Sequence, residues 1–411
     1  MARLYSLLLF VLLGFPSLSQ SPLLDLVNRL PAGMDTLIAQ SDKYRIQIVY
    51  TQIDRDARNR PHFRTFAFGD TAQYFNPAST VKMPAAFLAM EKIRQLRILG
   101  LDKHSTMRIG AARPPQTAVQ SDSTARDGLP SVAHYVKKIF LVSDNDAFNR
   151  LYEFLGQGYI HEQLRDKGYA RTRIVHRLSV PGFDSVANRY TNPVSFYDTD
   201  GSLRYHQGEV FSKAEPLDMA LGSQIVGTGH INNREELVQQ PFDFSFRNYV
   251  GLRELHDMLQ AVMFPEDVPP ARRFQLSDED YDFLYKTMSM LPRESDYPKY
   301  DPAEYYDSYV KFFLYGDRQD PMPGDIRIFN KVGTSYGFLT DIAYVADLRN
   351  SVEFMLAATI YVNADGILND NRYEYDETGM PFLSKLGQAV HAYELQRPRR
   401  RKPDLSAWRK D

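Results

Sequence analysis

The run Ser79-Thr80-Val81-Lys82 sets a hydroxyl and an amine at helical spacing, between Asn76-Pro77-Ala78 and the apolar stretch Met83 to Met90. A serine hydroxyl is a weak nucleophile at neutral pH and needs a base within hydrogen-bond reach. Residues three apart share one face of a helix, so Lys82 can stand beside Ser79. A helix start also offers free N–H donors and a positive dipole end to developing negative charge. Pro77 suits the extended approach to such a helix, whereas Pro84 denies Thr80 an i+4 partner and is expected to bend the first turns. The spacing alone is unspecific, because Ser308-Tyr309-Val310-Lys311 repeats it.

Two further motifs follow Ser79 in order: Ser143-Asp144-Asn145 and Lys331-Val332-Gly333-Thr334. The ordered set resembles the S-x-x-K, S-D-N and K-T-G triplet of the penicillin-binding proteins and class A β-lactamases. The likeness covers nearly all of the chain apart from the first residues, the segment around 196–246 and the tail. It implies an α+β fold of the serine β-lactamase and D-alanyl peptidase type. In that fold a five-stranded antiparallel sheet is flanked by helices, with an all-helical lobe beside it. It further implies that Ser79 attacks an amide carbonyl and forms an acyl-enzyme, with Lys82 as base. Ser143 would relay a proton to the leaving nitrogen. Asn145 would orient Lys82 and hold a substrate amide, and Lys331 would attract a substrate carboxylate. Gly333 would let backbone approach closely. The N–H groups of Ser79 and Thr334 would form an oxyanion hole, each donor worth about 3–4 kcal/mol in the transition state.

Two departures stand out. Class A β-lactamases carry a glutamate in an R-x-E-x-x-L-N loop, where it activates the deacylating water. The matching stretch here is Arg177-Leu178-Ser179-Val180-Pro181-Gly182-Phe183-Asp184, with serine at the glutamate position and Asp184 as the nearby carboxylate. The threonine of K-T-G is Val332.

The elements that must position these groups are read from periodicity. Apolar residues from Leu23 to Ile38 have helical spacing broken at Pro31-Ala32-Gly33. Tyr44 to Tyr50 and Phe63 to Phe68 alternate as the strands of a hairpin. Helices are expected from Ser79 to about Leu99, Val132 to Phe140, Ala147 to Leu155, His161 to Lys167, Asn248 to Phe264, Ser277 to Leu291, Pro302 to Leu314 and Pro381 to Leu395. Asp102 to Pro130 and Arg177 to Pro193 read as loops. Phe196-Tyr197 and Leu203 to Tyr205 form a strand–turn–strand. Ile326 to Phe329, Leu339 to Val345 and Val352 to Val362 are strands. Tyr336 either lines a cleft or packs on the sheet. These elements divide the chain into a signal peptide (1–19), a catalytic domain (21–396) and a basic polar tail (397–411). Within the domain, 21–76 and 325–396 form the sheet lobe and 77–324 the helical lobe, with 196–246 inserted. The tail, with its basic run Arg397 to Lys402, is expected to be a solvated end, with attraction to an anionic envelope polymer as the alternative.

The 411 residues include no cysteine, which excludes disulfides and thiolate metal sites, and a formal net charge of −2 argues against a nucleic-acid binder. His161-Glu162 lacks a second histidine four residues on, so it is no zinc motif. Arg3 followed by the apolar run Leu4 to Phe15 reads as a cleaved signal peptide, which directs the chain to the periplasm or outside and leaves no transmembrane span. The expectation is an exported monomeric serine hydrolase that needs no metal or organic cofactor. Its partner would be a small-molecule β-lactam or a cell-wall peptide. A D-alanyl peptidase-like amidase with slow deacylation and a non-catalytic envelope binding module stay open as alternatives.

Overall fold

The computed structural model describes residues 21–213, 219 and 221–409. The segment read as a signal peptide lies outside them. Five strands build the central sheet: β1 (Gln47–Arg55), β2 (Pro61–Phe68), β3 (Ile326–Ser335), β4 (Phe338–Asp347) and β5 (Val352–Tyr361). Their order is β3-β4-β5-β1-β2, and every neighbouring pair is antiparallel. The fold is α+β, as the motif order implied.

Strand alternation sends successive side chains to opposite faces. Val49, Ile342, Tyr344, Met355 and Ala357 join one apolar core, and Ile48, Tyr50, Ala343, Leu356 and Ala358 join another. The first core lies against helix α7 (Leu252–Met263), which follows in the chain α3 (Lys82–Leu96), α4 (Val132–Val142), α5 (Asn145–Leu155) and α6 (Gln157–Asp166). The second core is closed by α9 (Met380–Gln396), which follows α8 (Asp278–Ser289), and by the short N-terminal helices α1 (Pro22–Val27) and α2 (Met34–Ala39). Helix α3 is buried along Lys82 to Glu91, the expected state of a helix that is apolar on most sides. Pro84 sits comfortably, because Ala78–Val81 forms a 3₁₀ turn and the α-helix starts only at Lys82. Its missing N–H therefore falls in the first α turn, where proline is tolerated.

Three expectations fail. Thr106–Ile109, read as loop, is a strand paired with Val194–Tyr197. Pro302 to Leu314 is not a helix. Only Phe312–Tyr315 makes a turn, and Phe313 and Leu314 have non-helical dihedrals. At the end of the stretch the buried carboxylate of Asp341 takes the backbone N–H groups of Phe312 and Phe313 at 3.1 Å each. Asp341 also accepts from Asn330 at 2.8 Å, and Asn330 accepts from Lys311 at 2.6 Å. Burial pushes Asp341 up to about 6 and Lys311 down to about 7. This network spends the lysine of the second S-x-x-K run on structure.

The tail is the third. It is not a solvated end, because Arg397 donates to Glu394 at 2.8 Å and to Asp54 at 2.5 Å, and Arg399 also reaches Glu394. Glu394 is fully buried, so it holds the start of the basic run; Arg400, Arg401 and Lys402 remain exposed. Farther on, Asn59 and Asp404 exchange two hydrogen bonds, and Trp408 packs its ring 4.9 Å from Phe329. Removing one partner of a buried ion pair typically costs 3–5 kcal/mol. We expect Arg397→Ala to lower the urea midpoint by the equivalent of about 3 kcal/mol. Trp408 is the sole tryptophan, so its emission should shift within the same single transition. An unchanged midpoint would mean that the tail is not docked.

Candidate functional site

Ser79 lies in the 3₁₀ turn ahead of α3, after Ala78, whose φ of 47° is unusual for a residue with a side chain. Asn76 Oδ1 accepts the Ala78 N–H at 2.9 Å and Pro77 O accepts the Thr80 N–H at 3.0 Å. The Ser79 N–H between them has no acceptor among the described residues. Edge strand β3 presses on this turn. A Cβ placed on Gly333 would stand 2.6 Å from Pro77 O and 3.0 Å from Ser79 N, so only glycine permits the approach.

Thr334 follows on the same edge. The two-residue turn Tyr336-Gly337, with φ of 54° and 80°, closes on the pair Ser335–Phe338. Antiparallel pairs alternate between hydrogen-bonded and open, so the Thr334 N–H points away from β4, off the sheet edge. The Val332 carbonyl shares that direction and accepts from Lys331 Nζ at 2.7 Å.

The second motif is a break between two helices. Ser143 ends α4 in the left-handed conformation, φ 59°, and Asp144 caps α5 by accepting the Ala147 N–H at 2.7 Å. The Ser143 hydroxyl is therefore held out toward two lysines. Lys82 Nζ stands 3.2 Å away and Lys331 Nζ 2.8 Å away. Lys82 also donates to the Ser143 carbonyl and, at 2.6 Å, to Asn145 Oδ1. Both amines are almost wholly buried. Burial pulls Lys82 down to about 7, against the attraction of Asp144. Lys331 is pulled well below the usual lysine range by burial and then by the Lys82 charge. A base poised near neutral pH is the arrangement that general-base chemistry favours.

Helix α5 carries a feature that motif matching missed. Asn145, Asn149 and Glu153 are four apart and share one face. They grip three consecutive residues of the following loop in reverse order. Asn145 Nδ2 donates to Ser179 Oγ at 2.9 Å. Asn149 takes the Leu178 N–H at 2.8 Å and donates to its carbonyl at 2.9 Å. Glu153 accepts from Arg177 at 3.0 Å. The spacing N-x-x-x-N-x-x-x-E was the available signal. The loop thus brings Ser179, in place of the family's glutamate, beside Asn145. Asp184 stays away: it is exposed and caps the turn at Ala187. Ser308 is also set apart. It is 2% exposed, its hydroxyl donates to Arg318 O at 2.5 Å, and Lys311 bonds elsewhere.

The site thus unites Ser79, Lys82, Ser143, Asn145, Lys331, Gly333 and Thr334, with Ser179 at its margin. A cleft of about 1050 Å³ opens alongside, with Ser179 and Thr334 on its wall. Another cavity, about 740 Å³, lies by α9 near Arg64 and Tyr393, apart from these groups. No cluster of His, Asp and Glu among the described residues could hold a metal ion. We expect Gly333→Ala to destabilise the protein by about 1–3 kcal/mol, the range for overpacking. Gly324→Ala is the control, since a Cβ there meets nothing within 4 Å. Equal urea midpoints for the two variants would refute the close approach.

Comparison with known proteins gives three kinds of result. A model of the beta-lactamase enzyme family matches residues 30–236. No curated protein matches. Solved structures with similar chain paths include a beta-lactamase from Xanthomonas campestris, at 15% identity and a TM-score of 0.45 over 87% of this chain and 97% of that one. Others are a beta-lactamase from Desulfarculus baarsii (15%, TM-score 0.43, 87% and 94%) and one from Burkholderia vietnamiensis (12%, TM-score 0.46, 89% and 97%). The family match takes in most of the segment 196–246 that the motif resemblance left out, as far as residue 236, and stops before Lys331. Because the match spans half of the chain and contains the Ser79 and Ser143 motifs, the chain belongs to the beta-lactamase enzyme family.

Proposed function

We propose that the protein is an exported serine hydrolase that opens the amide of β-lactams or of cell-wall peptides through an acyl-enzyme on Ser79, and that it releases the acyl group slowly. The observation that carries this reading is the Ser143 hydroxyl bracketed by Lys82 and Lys331. A ligand-binding module has no use for two buried amines on one hydroxyl beside a half-buried serine at a helix start.

Ser79 Oγ attacks the carbonyl carbon, and its proton passes to neutral Lys82. Negative charge on the carbonyl oxygen meets the N–H groups of Ser79 and Thr334. The C–N bond breaks as Ser143 hands its proton to the leaving nitrogen, and the proton on Lys82 replaces it. Lys331 and Thr334 face the carboxylate that β-lactams and peptide termini carry. Hydrolysis of the acyl-enzyme then needs a water and a base. A general base of this kind is worth about 10²–10⁴ in rate, and Ser179 cannot act as one. Slow release makes the protein closer to a penicillin-binding protein or D-alanyl peptidase in kinetics than to a resistance enzyme.

Two measurements test this. A fluorescent penicillin should label the protein within seconds, survive on a gel for minutes, and fail to label Ser79→Ala. Ser179→Glu should shorten the lifetime. Turnover of many penicillins per second by the unaltered protein would defeat the slow-release reading. Labelling should also follow the Lys82 amine. Its neutral form is the base and its proton is lost near pH 7. The acylation rate should therefore fall about tenfold per unit below pH 7 and level off above it. A flat profile from pH 5 to 8 would remove Lys82 as the base.

A further inference from the structure

The cleft beside the site reaches well past what a bicyclic lactam needs. Its volume, about 1050 Å³, is at the top of the range of about 300–1,000 Å³ for sites that enclose drug-sized ligands. Its far wall takes Asn233 and Arg247 from the 221–250 region. There Gly229–Ile231 pairs with Leu237–Val238 and, in parallel, with Ile367–Leu368. This three-stranded ribbon ties the region to the 367–375 turn. Its neighbour Phe242 stacks on Tyr336 at 5.6 Å, and Phe244 meets the same ring edge-on at 5.4 Å. Tyr336 is thus a supported wall residue.

The lining is mostly neutral and hydrogen-bonding, with two arginines. Asn233 and Asn371 have no side-chain hydrogen bonds among the described residues and line the cleft. Tyr373 spends its hydroxyl on the Asn369 N–H at 2.6 Å, which leaves its ring as a flat face. Of the basic residues on the wall, Arg177 is paired with Glu153, and burial lowers His176 to about 4, so it is neutral. Arg247, seated over Phe242 at 5.4 Å, has no carboxylate partner among the described residues. No Asp or Glu lines the cleft, and Asp370 turns back to cap the Arg372 N–H at 3.0 Å.

We propose that this cleft holds the acyl portion of the substrate, and that this portion is a peptide chain bearing a side-chain carboxylate that Arg247 receives. An asparagine amide offers one donor and one acceptor face, the complement of a peptide group. Tyrosine rings pack the flat peptide planes between them. An unpaired arginine in a wall free of carboxylates selects an anion. The inference rests on the acyl-enzyme reading, since it assigns the direction in which the substrate lies.

The test is calorimetric binding to the Ser79→Ala variant, which needs no acylation. The probes are N-acetyl-alanyl-glutamyl-alanyl-alanine and its glutaminyl counterpart, alike at the C-terminal carboxylate. At low salt the glutamyl peptide should bind at least fivefold tighter. Arg247→Ala should erase that ratio and Arg247→Lys should keep most of it. Equal affinities, a ratio that survives Arg247→Ala, or no binding of either peptide overturns the proposal. So does tighter binding of an N-acetylglucosamine trimer than of either peptide, which would make the cleft a saccharide site. Failure of penicillin to label the unaltered protein would remove the acyl-enzyme reading instead, and leaves the calorimetric ratio to be judged by itself.

Discussion

Two buried amines converge on one hydroxyl, and the rest of the structure is arranged to make that tolerable. Lys82 and Lys331 both touch Ser143, so their nitrogens are no more than about 6 Å apart. Two unit charges at that distance repel by roughly 3 kcal/mol at an effective dielectric of 20. Desolvation adds to the strain, and the two effects act in the same direction on each proton. The protein meets this by surrounding Lys82 with the Ser143 carbonyl and Asn145, and by giving Lys331 the Val332 carbonyl. Those acceptors come from the α4–α5 break and from the edge of the sheet. The lysines themselves come from α3 and β3. No single element can make the site, so the packing of helices on sheet is itself the condition for bringing these groups together.

The same condition explains the backbone choices nearby. Ala78 and Ser143 both adopt left-handed dihedrals without being glycine, which costs on the order of 1 kcal/mol or more each. Each cost falls at or next to a motif serine. Gly333 is the converse case. It gives up a side chain so that β3 can lie against the turn that carries Ser79, and by the same contact Thr334 is brought alongside.

How much of this the sequence disclosed depends on the kind of signal. The five sheet strands and most helices announce themselves by their apolar pattern, because each is at least half-buried on one face. The three motifs are legible because their chemistry fixes residue type as well as spacing. Ser308 and Lys311 show where that logic stops: identical spacing, but both side chains are spent on carbonyls and an asparagine inside the core. The false helix at 302–314 has the same origin. A buried aspartate downstream takes the backbone amides of Phe312 and Phe313 at the end of that stretch, and no local pattern records a distant acceptor. The tail misleads for a related reason. Arg397 and Arg399 look like part of a solvated run until the buried Glu394 is seen beneath them. The grip of α5 on the loop was written in plain four-residue spacing, but polar residues at that spacing usually mark only a wet helix face.

The pairing of β1 with β5 has a temporal meaning. Gln47 opposes Thr359 and Gln52 opposes Phe354, so the sheet joins the two ends of the chain across some three hundred residues. Closing a loop that long costs little more than closing a short one, since the entropy grows only with the logarithm of length. The delay, however, is large. Contacts between distant segments form late and slow the search. During synthesis the first hairpin has no partner until nearly the whole polypeptide has emerged, and Ser79 has no Gly333 to lie against. A growing chain of this topology stays incompletely folded, with its motif residues apart, until the strands of residues 326–361 arrive.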